Sequence, residues 1–226
     1  EIDGVLDEAW KDQSAAYSAG NLVYNSDDIV GGFTELATWN DCYMNFRIMF
    51  DACFLYLWCD VIDDELDASG PNYWENDGIT LFINVLDNTN VDPPQFFPDP
   101  VIWNWVWNSM ESGIQGGHET VAWGEQEPSG YSFETAIPIQ DLPFTLQEEN
   151  EIGFEVLVRD RDHQVRENMM TWWGGDSELW EDPSQYGTIT LGWVLCGDPI
   201  PCPSTSIGQA ESDLNFFLDS KLSQSL

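Results

Sequence analysis

Apolar and polar residues alternate with a period of two along most of the chain, which predicts strands. Cys42 to Phe50 reads as one strand, Asp51-Ala52-Cys53 as a turn, and Phe54 to Ile62 as the return strand of a hairpin. Within that hairpin Tyr56, Trp58 and Asp60 share one face, and Leu55, Leu57, Cys59 and Val61 share the other. Further strands are predicted at Gly78 to Leu86, Val101 to Asn108, Gly130 to Pro138, Glu151 to Arg159 and Gly187 to Leu195. Asp92 to Pro100 carries four prolines and reads as a loop. Helical spacing enters only at the end, where Leu214, Phe217, Leu218 and Leu222 predict a short amphipathic helix with Ser212 or Asp213 as its N-cap. Such a helix is too short to be stable alone and has to dock on something. The pattern is that of an all-β protein, an antiparallel β-sandwich of jelly-roll or immunoglobulin-like type with a short C-terminal helix. Its expected divisions are a sandwich over 1–195, a Pro-, Ser- and Gly-rich linker over 196–211, and the helix or tail over 212–226.

Composition narrows the function classes. Of 226 residues, 42% are hydrophobic and 14% aromatic, enough for one core. Six Lys+Arg stand against 41 Asp+Glu, a formal net charge of −35. A chain of that charge offers no basic patch to nucleic acid or to an anionic membrane surface. No run of about 18 apolar residues predicts a transmembrane helix, so membrane insertion is not expected. The acid excess has two readings, a solvated surface or cation binding, chiefly calcium, which takes clustered carboxylate oxygens. Asp60, Asp63 and Asp64 cluster at a strand end and are the candidate ligands; Asp160 and Asp162 form a similar group. Of the five cysteines, Cys196 and Cys202 flank a turn-rich stretch and are expected to close a small disulfide loop. The chain opens at Glu1-Ile2-Asp3-Gly4 with no signal peptide, as expected of a processed protein that is secreted or held at the cell surface. No GxSxG or HExxH motif is present, and an enzyme is not expected.

Several blocks, in order, resemble a family-9 carbohydrate-binding module. The first is Ile2-Asp3-Gly4-Val5-Leu6-Asp7-Glu8-Ala9-Trp10. The central block runs from Leu55-Tyr56-Leu57-Trp58 through Val61-Ile62-Asp63-Asp64 to Trp74-Glu75-Asn76-Asp77-Gly78-Ile79-Thr80-Leu81-Phe82-Ile83. The closing block comprises Gly130-Tyr131-Ser132-Phe133-Glu134-Thr135-Ala136-Ile137-Pro138, Ile152-Gly153-Phe154-Glu155-Val156 and Trp180-Glu181-Asp182-Pro183-Ser184-Gln185-Tyr186-Gly187. The resemblance implies a β-sandwich without catalytic machinery that binds polysaccharide or oligosaccharide ends between two tryptophans, with structural calcium in some members. The two indoles it implies here are Trp74 and Trp180. Asp160, Ser177 and Arg159 are nearby in sequence and are candidate polar partners for sugar hydroxyls. Two positions depart from the family: Thr80 stands where an acidic residue is usual, and Trp103-Asn104-Trp105-Val106-Trp107 lacks the usual basic residue.

Trp103, Trp105 and Trp107 share one face of a predicted strand. They form either a core face or an exposed platform. A platform supports an alternative reading, a structural subunit of an extracellular filament or envelope layer. In that reading this face and the C-terminal tail would mediate self-association or contact with other extracellular proteins.

Overall fold

The alternating runs fold as the strands they predict. The computed structural model describes residues 2–13, 16–25, 41–51, 53–88, 95–96, 100–109, 120–125, 129–142, 151–162, 164–174 and 179–190. A short helix, α1 (Glu8–Gln13), precedes the strands. These are β1 (Ala16–Ala19), β2 (Asn21–Asn25), β3 (Cys42–Phe50), β4 (Phe54–Asp63), β5 (Gly78–Asn88), β6 (Gln95–Phe96), β7 (Val101–Val106), β8 (Thr120–Glu125), β9 (Tyr131–Pro138), β10 (Glu151–Asp162), β11 (Val165–Thr171) and β12 (Gly187–Thr190). The hairpin strands β3 and β4 fall where alternation puts them; β5, β7, β9 and β10 shift by one to three residues at an end. The strands β1, β2, β8 and β11 were not anticipated. The proline-rich stretch contains the two-residue β6 within its described part.

All pairings are antiparallel. One sheet has the order β1-β3-β4-β9-β8; the other has β2-β11-β10-β5-β6, with β12 also on β10 and β7 also on β5. The sheets pack face to face, as period-two amphipathic strands must to bury their apolar faces. Phe46 of β3 stacks on Phe154 of β10 at 5.9 Å, and Trp105 of β7 meets Phe133 of β9 at 4.9 Å. Leu55, Leu57, Cys59 and Val61 all face this core, as their parity requires.

The tryptophan strand resolves to core. Trp103 is 2% and Trp105 0% exposed, and Trp107 packs partly buried against the same cluster. The reason is register: β7 pairs with β5 so that Trp105 lies beside Ile79 and Trp103 beside Leu81, both inward-facing. The exposed platform expected as one alternative is therefore not present, and the assembly reading loses that contact face. Gly78 makes the close β5–β7 approach possible, since a Cβ there would lie 2.0 Å from the Trp105 carbonyl oxygen.

The opening segment is tied down by one carboxylate. Glu134 on β9 accepts the backbone N–H of Asp3 at 2.9 Å and of Gly4 at 3.0 Å, and the indole N–H of Trp10 at 2.8 Å. Cys42 and Cys59 are buried free thiols, and Cys53 is disulfide-bonded. The expected Cys196–Cys202 loop, the linker and the C-terminal helix lie outside the described residues. No helix among the described residues is long and apolar enough to cross a membrane.

Candidate functional site

Strand parity divides the side chains of β10 between two sites. Ile152, Phe154, Val156 and Val158 point into the core, and Asp160 and Asp162 follow them at the same parity. Leu157 and Arg159 take the opposite, outer face of the sheet. There they join Thr80 and Phe82 of β5, Ile102 and Asn104 of β7, and Arg166 and Met169 of β11. Tyr73, Trp74 and Trp180 rise around this floor and enclose a cleft of about 430 Å³. Trp74 and Trp180 are 44% and 45% exposed, so each indole is about half open to solvent. An aromatic-walled concavity with a few fixed polar groups is the usual form of a small-molecule site.

Both indoles sit on stiffened turns. Trp74 lies in the 3-10 turn Tyr73–Glu75, edge-on to Tyr73 at 4.8 Å. The turn is braced by Asn76, whose side chain accepts from Gly70 N–H at 2.5 Å and donates to the Asn72 carbonyl at 2.9 Å. Arg161 Nη1 donates to the Glu75 carbonyl at 3.0 Å, and its Nε pairs with Asp67 at 3.0 Å. Trp180 precedes the turn Pro183–Gln185, capped by Asp182, which accepts from the N–H of Ser184 at 3.1 Å. Tyr186 then donates its hydroxyl to the Leu179 carbonyl at 2.9 Å and packs on Phe82 at 5.4 Å. Further back, Glu155 accepts the backbone N–H groups of Trp172 at 2.7 Å and Trp173 at 3.1 Å. Burial pushes that carboxyl up to about 7, opposed by those same N–H donors.

The polar floor is a connected network. Thr80 Oγ1 donates to Asn104 Oδ1 at 2.7 Å. Arg159 donates to both: Nη1 to Thr80 Oγ1 and, at 3.1 Å, to Asn104 Oδ1. Its Nη2 reaches the Trp105 carbonyl at 2.9 Å and its Nε the Asn76 carbonyl at 3.2 Å. Burial lowers the guanidinium to about 10, while the charges of Tyr131 and Asp77 oppose that shift.

The expected polar partners therefore separate. Arg159 is in the cleft. Asp160, one residue on, is not: adjacent strand residues face opposite ways, and its carboxylate accepts from Asn168 Nδ2 at 2.8 Å among other acids. Ser177 lies outside the described residues. Thr80, Asn104 and Arg166 were missed, although the parity of Arg159 and its strand neighbours was a usable signal. The basic side chains that line the cleft come from β10 and β11, not from β7.

The second site closes one end of the sandwich. Asp63 continues the inward face of β4 as Asp160 and Asp162 continue that of β10, and one carboxylate oxygen from each lies within 4.8 Å of the others. Asp41, Asp64 and Asp162 form an overlapping group. Asp63, Asp160 and Asp162 each retain a buried oxygen with no hydrogen-bond partner among the described residues. Desolvation first, then repulsion by neighbouring carboxylates, raises all three; for Asp160, pushed up to about 8, those neighbours are Asp41, Asp77 and Glu167. Converging hard oxygens that are desolvated and unpartnered suit a hard divalent cation. Of the candidate ligands, Asp63 and Asp64 belong here and Asp60 does not. It lies an odd number of residues from Asp63 and so faces the outside of the sheet, across from Asn45 and Ser132.

Taken together, the sandwich and its aromatic-walled cleft have the form of a binding module. The chain belongs to the carbohydrate family 9 binding domain-like family, whose sequence model matches residues 2–192. It is 28% identical over 193 residues to the exoglucanase XynX of Acetivibrio thermocellus and 25% identical over 193 residues to the endo-1,4-beta-xylanase A of Thermoanaerobacterium saccharolyticum. Each match takes in 84% of this chain but only 16% and 15% of those proteins. In fold it is similar to a family 9 module from Caldicellulosiruptor kristjanssonii solved with cellotriose. There the TM-score is 0.68 at 18% identity, over 90% of this chain and 94% of that one. The structure of a family 9 module from the same organism with glucose gives a TM-score of 0.64 at 20% identity, over 88% and 95%.

Proposed function

We propose that this chain binds saccharide by clasping a pyranose ring between Trp74 and Trp180. The observation that carries the reading is the pair of half-exposed indoles walling one cleft above a polar floor. The apolar C–H faces of the sugar would stack on the indoles while its hydroxyls meet Thr80 and Asn104. Because both turns are already braced, little conformational entropy is lost on binding. The cellotriose and glucose bound by the similar family 9 structures support β-linked glucose oligomers as first ligands to try. The hydrolase relatives support an extracellular setting in which the module holds a polysaccharide. In the same reading a calcium ion sits among Asp63, Asp160 and Asp162 and fixes the ends of β4 and β10.

Isothermal titration with cello-oligosaccharides tests the clasp. Trp74→Ala and Trp180→Ala should each weaken binding by about 30-fold or more, the effect of removing a central aromatic contact. Full affinity in both variants would remove the clasp from the account.

A further inference from the structure

The chain has six Lys+Arg against 41 Asp+Glu, and three of the six basic residues, Arg159, Arg161 and Arg166, lie on β10 and β11 beside the cleft. Arg159 and Arg166 line it, and among the described residues no Asp or Glu does. In so acidic a chain, a cleft lined by arginine, with no carboxylate among its described residues, is a local reversal of charge.

Arg159 is the centre of that reversal. It is 2% exposed, and its four hydrogen bonds go to neutral oxygens: the Thr80 hydroxyl, the Asn104 amide and the Trp105 and Asn76 carbonyls. Among the described residues no carboxylate forms an ion pair with it. Arg161, two residues further on, shows the ordinary arrangement, paired with Asp67 at 3.0 Å. Asp77 acts on Arg159 only through space; its oxygens accept from the backbone N–H of Asp67 at 2.5 Å and of Arg161 at 2.6 Å, and it does not line the cleft. A buried cation whose partners are all neutral keeps its field in a low-dielectric wall, where an entering anion feels it strongly.

We propose that the cleft selects an anionic sugar, the ring lying between Trp74 and Trp180 and its carboxylate or sulfate directed to the Arg159 wall. This rests on the reading of the cleft as a saccharide site. The net charge of −35 repels an approaching anion, but beyond about 8 Å that repulsion is screened at physiological ionic strength, whereas contact with Arg159 is not. Association of the acidic sugar should therefore speed up as salt is raised from low concentration.

Titration calorimetry with matched sugars tests this: cellobiose against the same disaccharide with a terminal glucuronate, and glucose against glucuronate and glucose 6-sulfate. An acidic sugar should bind at least about tenfold tighter than its neutral counterpart. The glucuronate and sulfate arms show which anionic group is taken. In Thr80→Asp, and independently in Asn104→Asp, a carboxylate placed against Arg159 should bring the acidic-to-neutral affinity ratio to about one, whatever the absolute affinities. Equal affinities in the wild type, or a preference for the neutral sugars, overturn the proposal and leave the clasp intact. Binding of no saccharide of either kind overturns both. A preference that survives in either folded variant removes Arg159 as its source.

Discussion

Calcium should stabilise this protein, and one substitution should abolish that effect without lowering stability in chelator. Without a cation, Asp63, Asp160 and Asp162 bring carboxylate oxygens within 4.8 Å of one another in a buried place. All three hold their protons more tightly than ordinary carboxylates, Asp160 up to about 8, because the ionised forms are desolvated and repelled by neighbouring carboxylates. A divalent ion replaces repulsion with coordination. At a calcium concentration of about 100 times Kd, linkage stabilises the folded state by about 2.7 kcal/mol. For a chain of 226 residues that corresponds to a rise in Tm of roughly 5–10 °C. Differential scanning calorimetry at neutral pH, in chelator and then in calcium, reads it directly. Asp160→Asn keeps an acceptor for Asn168 but removes one charge. Its Tm in chelator should equal or exceed that of the wild type, and the calcium shift should vanish. Equal wild-type Tm values in chelator and calcium would refute the reasoning, as would a full calcium shift in Asp160→Asn.

Trp105→Ala, at a fully buried core position, should cost about 3–5 kcal/mol in denaturant unfolding without changing the oligomeric state read by native mass spectrometry. Gly78→Ala should lower stability by roughly 1–3 kcal/mol, because the new Cβ meets the Trp105 carbonyl at 2.0 Å; unchanged unfolding would count against the close β5–β7 approach. Glu155 has a folded-state value of about 7 against an ordinary 4.5, so folding takes up a proton between those values. Stability should therefore rise by about 3 kcal/mol as pH falls from 7 toward 4.5, and Glu155→Gln should flatten that slope when unfolding is measured in saturating calcium.

Much of the architecture was readable in the sequence because alternation is strongest where one strand face is apolar. The hairpin of β3 and β4 is the clearest case: Leu55, Leu57, Cys59 and Val61 go inward and Tyr56 and Asp60 do not. The strand β11 hid because its buried positions include Glu167, Asn168 and Thr171, polar side chains that break the apolar pattern. The same parity rule gave Trp103 and Trp105 a common face but not which face; pairing with Ile79 and Leu81 decided that, and pairing is a long-range fact. For the site, the indoles Trp74 and Trp180 were legible through resemblance, and both line the cleft. The polar partners were chosen by nearness in sequence, which fails in a strand. Arg159 and Asp160 are neighbours in the chain, yet one lines the cleft and the other faces the acidic end of the core.

The most direct test watches the indoles themselves. In a heteronuclear NMR titration with the saccharide that binds most tightly, each indole Nε1–H gives its own resonance, assigned by single Trp→Phe substitutions. The resonances of Trp74 and Trp180 should move together and saturate with one dissociation constant, while those of the buried Trp103 and Trp105 stay nearly still. Saturable binding that leaves Trp74 and Trp180 unmoved would place the ligand elsewhere and contradict the account.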